Sequence, residues 1–350
     1  MKYNTKTQQP VISCKNIWKV FGENPKEYLA QMEVARSFED MQADGYIAGV
    51  RNVSLDVTKG EMLVVMGLSG SGKSTLVRCF SRLHDITSGS IEVDGQDIMS
   101  LSEKGLIDLR RSKMGMVFQS FGLLPHRTVL ENVAFPLEMR GQDAHTRRSR
   151  ALEVIALVGL EGREEYFPRE LSGGQQQRVG IARSLAIEPD IWFLDEPFSA
   201  LDPLIRKEMQ DEFLRLQGVL NKTILFVTHD FNEALRLADR IAIMKDGIIE
   251  QLDTPANIVL NPATEYVRKF TEEVPREKVL KIESVMDPVG STDEELSKLQ
   301  VSKDAIIETV AEAVLSEQKP VAVLDDNNNM VGILNCSTII HVLFGDRSKL

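Results

Sequence analysis

A glycine-rich loop between an apolar run and a helical stretch is the feature that most constrains how this chain folds. Residues 67–74, GLSGSGKS, fit the pattern G-x-x-x-x-G-K-[S/T]. The apolar run Met62–Met66 comes before the loop, and Leu76, Phe80 and Leu83 follow it at the spacing of one helix face. A strand, this loop and a helix in that order predict a phosphate-binding loop in an α/β protein.

The loop is expected to bind phosphate through both its backbone and its side chains. Glycines let consecutive N–H groups curl around phosphate oxygens, and the following helix adds the partial positive charge of its N-terminus. Lys73 is predicted to meet the β- and γ-phosphates of a nucleotide, and Ser74 to offer its hydroxyl to Mg²⁺. The predicted nucleotide-binding residues of this segment are Gly67, Leu68, Ser69, Gly70, Ser71, Gly72, Lys73, Ser74 and Thr75.

The rest of the chain divides into a long α/β part and a shorter tail. Fully apolar runs of four or five residues alternate with helical stretches, which predicts a sheet covered on both faces. We expect a first domain over residues 1–272, with a polar, acidic surface insertion at 24–49 that holds one weak helical pattern. A charged linker over 273–281 and a small α+β domain over 282–350 complete the prediction.

Composition narrows the function classes. Lys and Arg number 41 against 52 Asp and Glu, a net charge of −11, which argues against a protein that holds nucleic acid by its phosphates. No apolar stretch reaches the roughly 18–20 residues of a membrane span, and the N-terminus lacks the apolar region of a secretory signal. The three cysteines lie far apart and are expected to be reduced. We therefore expect a cytosolic chain that reaches any membrane through partners.

Two carboxylates follow a second apolar strand. Ile191–Leu194 ends in Asp195 and Glu196, and open α/β sheets place ligands at the carboxyl ends of their strands. Asp195 is suited to the coordination shell of Mg²⁺, and Glu196 to polarising an attacking water. Together with the phosphate loop, this pair predicts nucleotide hydrolysis.

A second glycine-containing motif identifies the family. Residues 171–178, LSGGQQQR, resemble the signature of ABC-type ATPases. Ser172 with Gly173 and Gly174 ahead of a helix makes a second anion-binding N-terminus. In that family the phosphate loop of one copy faces the signature of another in a head-to-tail dimer. The resemblance implies that Ser172, Gly173, Gly174 and Gln175 bind the partner's nucleotide in a homodimer, with ATP and Mg²⁺ as ligands.

The remaining family motifs occur in the family's order. Gln119 is similar to the Q-loop glutamine, and His229 is similar to the switch histidine that contacts the γ-phosphate. Residues 199–202 resemble the D-loop, and the resemblance assigns Asp202 to nucleotide binding. Phe21 resembles the aromatic residue on which adenine stacks, with Trp18 as the alternative, because the insertion separates both from the loop. The resemblance assigns catalytic roles to Glu196, His229, Lys73 and Gln119, and metal ligation to Ser74, Gln119 and Asp195.

Finer features resemble the ATP-binding subunits of bacterial importers for quaternary amines. These features are the insertion after residues 19–22, the segment 198–211 and the segment 261–267. One cassette without spans implies a separate transmembrane permease, a periplasmic or lipid-anchored substrate-binding protein, no nucleic-acid partner, and a peripheral position at the cytoplasmic face of the inner membrane. The substrate remains open among glycine betaine, proline betaine, choline and trimethylamine N-oxide.

The role of the tail and the function of the whole chain each have alternative interpretations. Residues 301–343 resemble a single CBS repeat, which either binds a ligand, after pairing with the tail of the other subunit, or only packs. The expected fold is thus a P-loop NTPase of the ABC type with a helical subdomain, followed by a small single-CBS domain. The alternatives are an importer ATPase for another small solute, a soluble ABC-type ATPase acting on nucleic acid or ribosomes, and a subunit that binds ATP without hydrolysis.

Overall fold

The computed structural model describes residues 9–31, 38–272, 274–290, 295–317 and 319–344. Within these ranges the chain forms two compact units that divide between Leu252 and Asp253. Residues 32–37 of the predicted insertion and residue 273 of the predicted linker lie outside the described part of the chain.

The first unit alternates strands and helices after an opening strand. Its strands are β1 (Ile12–Phe21), β2 (Ile47–Val57), β3 (Met62–Met66), β4 (Ser88–Val93), β5 (Gln96–Asp97), β6 (Met114–Val117), β7 (Ile191–Asp195), β8 (Thr223–Thr228), β9 (Arg240–Lys245) and β10 (Ile248–Asp253). Its helices are α1 (Pro25–Gln31), α2 (Phe38–Ala43), α3 (Lys73–Phe80), α4 (Glu103–Lys113), α5 (Val129–Met139), α6 (Ala144–Leu157), α7 (Gly173–Leu185), α8 (Pro203–Leu220) and α9 (Phe231–Leu237).

A six-stranded sheet with the order β10-β9-β3-β8-β7-β6 forms the centre of this unit. β3 pairs in parallel with β8 and β9, and β7 pairs in parallel with β6 and β8. Every residue of β3, β7 and β8 is buried, as their apolar sequences require in a sheet that is covered on both faces. The predicted α/β sheet is confirmed.

A second, antiparallel sheet with the order β2-β1-β4-β5 packs over α3. Leu76 and Phe80 of α3 lie in one apolar cluster with residues of both sheets, including Ile12 of β1 and Leu225 of β8. This cluster fixes α3, and with it the phosphate loop that precedes it. Helices α5, α6 and α7 pack against one another as a separate helical group.

The insertion folds as two short helices, α1 and α2, where the sequence indicated one. Met41 of α2 is fully buried against Val20 and Ala48, with Trp18 and Tyr46 packed around them. Strand β2 begins at Ile47, inside the predicted insertion, because the last residues of the insertion continue the pairing with β1.

The second unit has its own small sheet. Its elements are α10 (Pro255–Leu260), α11 (Glu265–Thr271), α12 (Arg276–Val279), β11 (Gln300–Ser302), α13 (Ile307–Leu315), β12 (Val321–Leu324), β13 (Met330–Leu334) and α14 (Cys336–Phe344). β12 is central, parallel to β11 and antiparallel to β13. The described residues of the tail thus combine helices with a small sheet, as the predicted α+β structure requires.

The division between the units differs from the predicted domain boundary after Glu272. Helices α10 and α11 group with the second unit, because α10 packs against α11 and α12. The predicted linker contains α12, and Leu280 within it is fully buried. None of the described helices is both long and apolar enough to cross a membrane.

Candidate active site

The phosphate loop connects the carboxyl end of β3 to α3, as its sequence context predicts. Gly72 has φ +102°, and a β-carbon there would lie 2.0 Å from the carbonyl oxygen of Gly49. Only glycine fits this position, since no L side chain tolerates both the backbone angle and the contact. The close approach to Gly49 holds the loop in one shape at the start of α3.

The Lys73 side chain lies inside the loop and is only 5% exposed. Its Nζ donates to the carbonyl oxygens of Gly67 and Leu68, both at 2.9 Å. Burial lowers the pKa of Lys73, while the carboxylates of Glu196 and Asp195 act in the opposite direction. A cation held at the loop's inner surface is placed to meet phosphate oxygens that the loop amides surround.

Ser74 and Asp195, which the sequence assigned to Mg²⁺, are in direct contact. The Ser74 hydroxyl donates to Oδ1 of Asp195 at 2.7 Å, and Asp195 is 4% exposed. The other carboxylate oxygen, Oδ2, accepts from Arg78 at 3.3 Å. Sequence reasoning missed Arg78, although its position four residues after Ser74 on a predicted helix places the two side chains on one face.

Three loops meet at Glu196 because β6, β7 and β8 are adjacent parallel strands. Gln119 follows β6, Glu196 follows β7 and His229 follows β8. Nε2 of Gln119 donates to Oε2 of Glu196 at 3.3 Å, and Nδ1 of His229 lies 3.1 Å from the same oxygen. Glu196 has φ +48°, so its backbone is left-handed. The structure brings the predicted base, switch histidine and Q-loop glutamine together.

The signature segment forms the N-terminus of α7. Ser172 caps this helix, since its hydroxyl accepts from the Gln175 amide at 3.4 Å, and the Gln175 side chain accepts from the Ser172 amide at 3.0 Å. Gly173 and Gly174 occupy the first turn between them. The predicted anion-binding N-terminus is therefore a well-formed helix start.

The predicted D-loop residue Asp202 also caps a helix. Its Oδ1 accepts from the Ile205 amide at 3.1 Å at the start of α8, and Pro203 is the first residue of that helix. In the single chain Asp202 therefore acts as the N-cap of α8.

The two candidate adenine-stacking residues have different surroundings. Phe21 is 37% exposed, with Nζ of Lys19 4.7 Å from its ring centroid. A β-carbon at Gly49 would lie 3.1 Å from Phe21 and 2.9 Å from Thr75, so the Phe21 ring borders the first turn of α3. Trp18 packs instead against the apolar cluster beneath the insertion.

Comparisons with known proteins identify the family of this chain. Residues 50–199 match the family model described as "ABC transporter". The "Trimethylamine N-oxide transport system ATP-binding protein TmoW" of Pelagibacter ubique (strain HTCC1062) is 66% identical over 97% of this chain and 99% of its own length. The "Glycine betaine transport ATP-binding protein OpuAA" of Bacillus subtilis (strain 168) is 49% identical over 80% of this chain and 67% of its own length.

A solved structure has the same fold over most of the chain. The "dimeric structure of a post-hydrolysis state of the ATP-binding cassette MJ0796 bound to ADP and Pi" matches with a TM-score of 0.58 and 35% sequence identity, covering 70% of this chain and 98% of that one. The phosphate loop, the carboxylate pair and the signature helix thus belong to an ABC-type P-loop fold that binds ATP. The chain belongs to the ABC transporter family, as an ATP-hydrolysing subunit of the group that serves quaternary-amine uptake.

Proposed function

We propose that this chain energises the import of trimethylamine N-oxide through a separate permease. The supporting observation is the match with a trimethylamine N-oxide transport subunit, which is 66% identical over 97% of this chain and 99% of its own length. The glycine betaine relative reaches 49% over 80% of the chain, so a betaine-type quaternary amine is the second candidate substrate. A periplasmic or lipid-anchored binding protein is expected to select the solute, and the ATPase sits peripherally at the cytoplasmic face of the inner membrane.

The phosphate loop and Lys73 bind and orient the triphosphate. Lys73 exchanges its two backbone acceptors, Gly67 and Leu68, for the β- and γ-phosphate oxygens, which keeps a buried cation paired throughout. The N-terminus of α3 adds its partial positive charge. Both effects stabilise the charge that spreads over the γ-phosphoryl oxygens during transfer. We assign adenine stacking to Phe21, whose partly exposed ring borders the first turn of α3.

Ser74 and Asp195 fit the requirements of Mg²⁺. A hydroxyl and a carboxylate are the hard oxygen donors that this ion prefers, and Gln119 supplies an amide oxygen at the same edge of the sheet. The described residues contain no group of three or more His, Cys, Asp or Glu side chains that could hold a metal alone. This suits an ion that takes its other ligands from phosphate and water, where it supplies charge neutralisation.

Glu196 acts as the general base in this proposal. Its carboxylate oxygen Oε2 already accepts from Gln119 and lies 3.1 Å from His229. Gln119 and His229 therefore orient the carboxylate that takes a proton from the attacking water. When the γ-phosphate is bound, His229 is placed to contact it as well, so that one side chain contacts both the Glu196 carboxylate and the substrate.

Two copies are expected to complete each site. The Ser172–Gln175 helix start of one subunit contributes N–H donors to the γ-phosphate that is held by the phosphate loop of the other. ATP then favours the closed dimer because only the γ-phosphate joins both halves, and hydrolysis reopens it. The dimeric ADP-bound and Pi-bound cassette among the matched structures supports this arrangement.

A groove beside Gln119 is the proposed permease surface. The cavity, about 420 Å³ in volume, lies between β6, α5 and α7, and Phe118, Phe135 and Met139 line it. Arg110, Arg111, Arg140 and Arg183 also line it. Phe118 directly precedes Gln119, whose side chain contacts Glu196, so a permease segment seated here is connected to the catalytic base through one residue.

We also propose that residues 282–350 form a regulatory domain built on one CBS repeat, which pairs with its copy in the second subunit. The helix and strand order of the tail supports this. A chain that ends at Glu272 should still hydrolyse ATP but lose the dependence of transport on ionic strength. Unchanged salt dependence would count against a sensing role.

Complementation tests the transport function. In a bacterium that lacks its own trimethylamine N-oxide ATP-binding subunit, the wild-type chain should restore uptake of labelled trimethylamine N-oxide, and Glu196→Gln should not. If both chains restored uptake, ATP hydrolysis by this subunit would not be required for transport. If the wild-type chain failed to restore uptake in this strain but restored glycine betaine uptake in a strain that lacks a glycine betaine subunit, the substrate would be a betaine.

A further inference from the structure

Arg206, in the first turns of α8, folds back over the loop that precedes this helix. Its Nε donates to the carbonyl oxygen of Phe198 at 3.3 Å, and its Nη2 donates to that of Leu201 at 3.0 Å. These two carbonyls bracket the loop 198–202, which contains the D-loop residues. One guanidinium group therefore binds both ends of this loop, whose Phe198 and Leu201 side chains are themselves buried.

The remaining guanidinium nitrogen faces a different loop. Nη1 of Arg206 lies 3.7 Å from Oδ2 of Asp230, which directly follows His229. The other oxygen of Asp230 accepts from the amides of Asn232 and Glu233, as the N-cap of α9. Arg206 thus connects the D-loop to the rigid start of the helix behind the switch histidine.

Both connected loops also contact Glu196. The amide and the hydroxyl of Ser199 donate to the carbonyl oxygen of Glu196, at 3.3 Å and 3.0 Å. The His229 ring meets the Glu196 carboxylate, and Arg206 lines the same small cleft as these three residues. Because Ser199 lies between the two residues whose carbonyls Arg206 binds, the chain 198–201 and these contacts together link Glu196, Arg206, Asp230 and His229.

We propose that Arg206 is a positioning residue for ATP hydrolysis, which ties the D-loop to Asp230 so that Glu196 and His229 keep their relative placement. The inference rests on the proposed role of Glu196 as base. The guanidinium group donates to two carbonyls and pairs with a carboxylate, so it acts on the reaction through the two loops and not through nucleotide. Nucleotide affinity depends on the phosphate loop and is left unchanged.

The geometry requires arginine and not only a positive charge. A planar guanidinium presents fixed, divergent N–H groups that reach two carbonyls and a carboxylate together, whereas a lysine ammonium is a compact point charge. Arg206→Lys keeps the charge and a similar length but loses this fork. Arg206→Lys therefore distinguishes an effect of the lost hydrogen bonds on turnover from an effect of the lost charge. Because it is the more conservative substitution, it can still be assayed if Arg206→Gln does not fold.

The experiment measures steady-state ATP hydrolysis and ATP binding on the full chain for Arg206→Gln, Arg206→Lys and Asp230→Asn, which keeps the α9 cap. Lys207→Gln is the matched control, since Lys207 is the next residue of α8 and is exposed. Misplacement of a catalytic group lowers turnover steeply. We expect kcat to fall on the order of ten- to a hundredfold in both Arg206 variants and roughly two- to fivefold in Asp230→Asn. KM, ATP affinity and unfolding temperature should stay near wild type, and the control should match wild type throughout.

Three results would overturn the proposal: an unchanged kcat in Arg206→Gln, full recovery of kcat in Arg206→Lys, or a rise in KM that accounts for the loss. The proposal would also fail if the unfolding temperature fell in parallel with kcat across all three variants, because lower stability would then explain the loss of turnover. Glu196→Gln is assayed alongside. If it keeps turnover, the proposed base is wrong; if it loses turnover while Arg206→Gln does not, only the positioning role is refuted.

Discussion

Replacing Gly72 by alanine tests whether the phosphate loop owes its shape to a backbone contact. A β-carbon at Gly72 would lie 2.0 Å from the carbonyl oxygen of Gly49, and the residue has φ +102°. Gly70 is the matched control, because its φ is also positive, at +82°, yet no heavy atom lies within 4 Å of an added β-carbon. The two substitutions therefore share the backbone strain and differ in the clash.

The expected magnitudes follow from that difference. A left-handed conformation costs a non-glycine residue roughly 1–2 kcal/mol. Gly70→Ala should lose about that much stability. Gly72→Ala carries the same strain and also a contact with a backbone oxygen that belongs to a strand, which adds roughly 1–3 kcal/mol as overpacking does elsewhere. Its total cost is then about 2–5 kcal/mol, a large share of the stability of an ordinary domain.

Urea denaturation of both variants and wild type, followed by circular dichroism, measures the difference. Gly72→Ala should have the lower midpoint by a clear margin, with an unchanged slope. Equal midpoints for the two variants would show that the Gly49 strand yields to the methyl group. In that case the contact does not define the loop, and the reasoning from close approach fails.

Four further outcomes are expected. Glu196→Gln should keep ATP binding and lower the rate of phosphate release on the order of 10²–10⁴-fold; a near-normal rate would exclude Glu196 as base. Phe21→Ala should weaken ATP binding by about 5- to 150-fold without changing kcat at saturation, since stacking of one base contributes about 1–3 kcal/mol. Equal affinity in a titration would remove Phe21 from the base site. Met139→Glu, at a side chain that is 44% exposed in the groove, should abolish uptake and spare the ATPase rate of the isolated subunit; unimpaired uptake would place the permease elsewhere. Burial raises the pKa of Cys14 and of Cys79 to about 12, so above pH 9 the unfolded chain releases protons that the folded thiols keep. The free energy of unfolding should therefore fall as pH rises, by up to about 1.4 kcal/mol per pH unit for each thiol. Urea midpoints between pH 8 and pH 10 measure this dependence, and a double alanine variant with the same dependence on pH would contradict it.

Much of the site could be predicted because its motifs are local in the sequence. Loop, strand and helix start each have a pattern of a few residues, and the order of the parallel strands determines where their ends meet. The contact between Ser74 and Asp195 follows from two such patterns that lie on adjacent elements. Predictions of this kind depend on backbone geometry more than on packing.

Other features depend on side chains that meet only in three dimensions. The contacts of Arg206 with the carbonyls of Phe198 and Leu201 and with Asp230 join residues that no sequence pattern relates. The second helix of the insertion packs through the fully buried Met41, which meets Val20 and Ala48 only in the folded chain. The sequence predicts a first domain that ends after Glu272, whereas the compact units divide between Leu252 and Asp253, because α10 packs against α11 and α12.

The left-handed backbone of Glu196 has an evolutionary consequence. Glutamate is poorly suited to φ +48°, where asparagine or glycine costs less, so the chain gives up folding stability at the position of the proposed general base. Selection for stability alone would replace this residue, and only selection for hydrolysis retains it. A population relieved of the need for transport should therefore lose this carboxylate early, and the inactive proteins that result should melt at a higher temperature than their working ancestor.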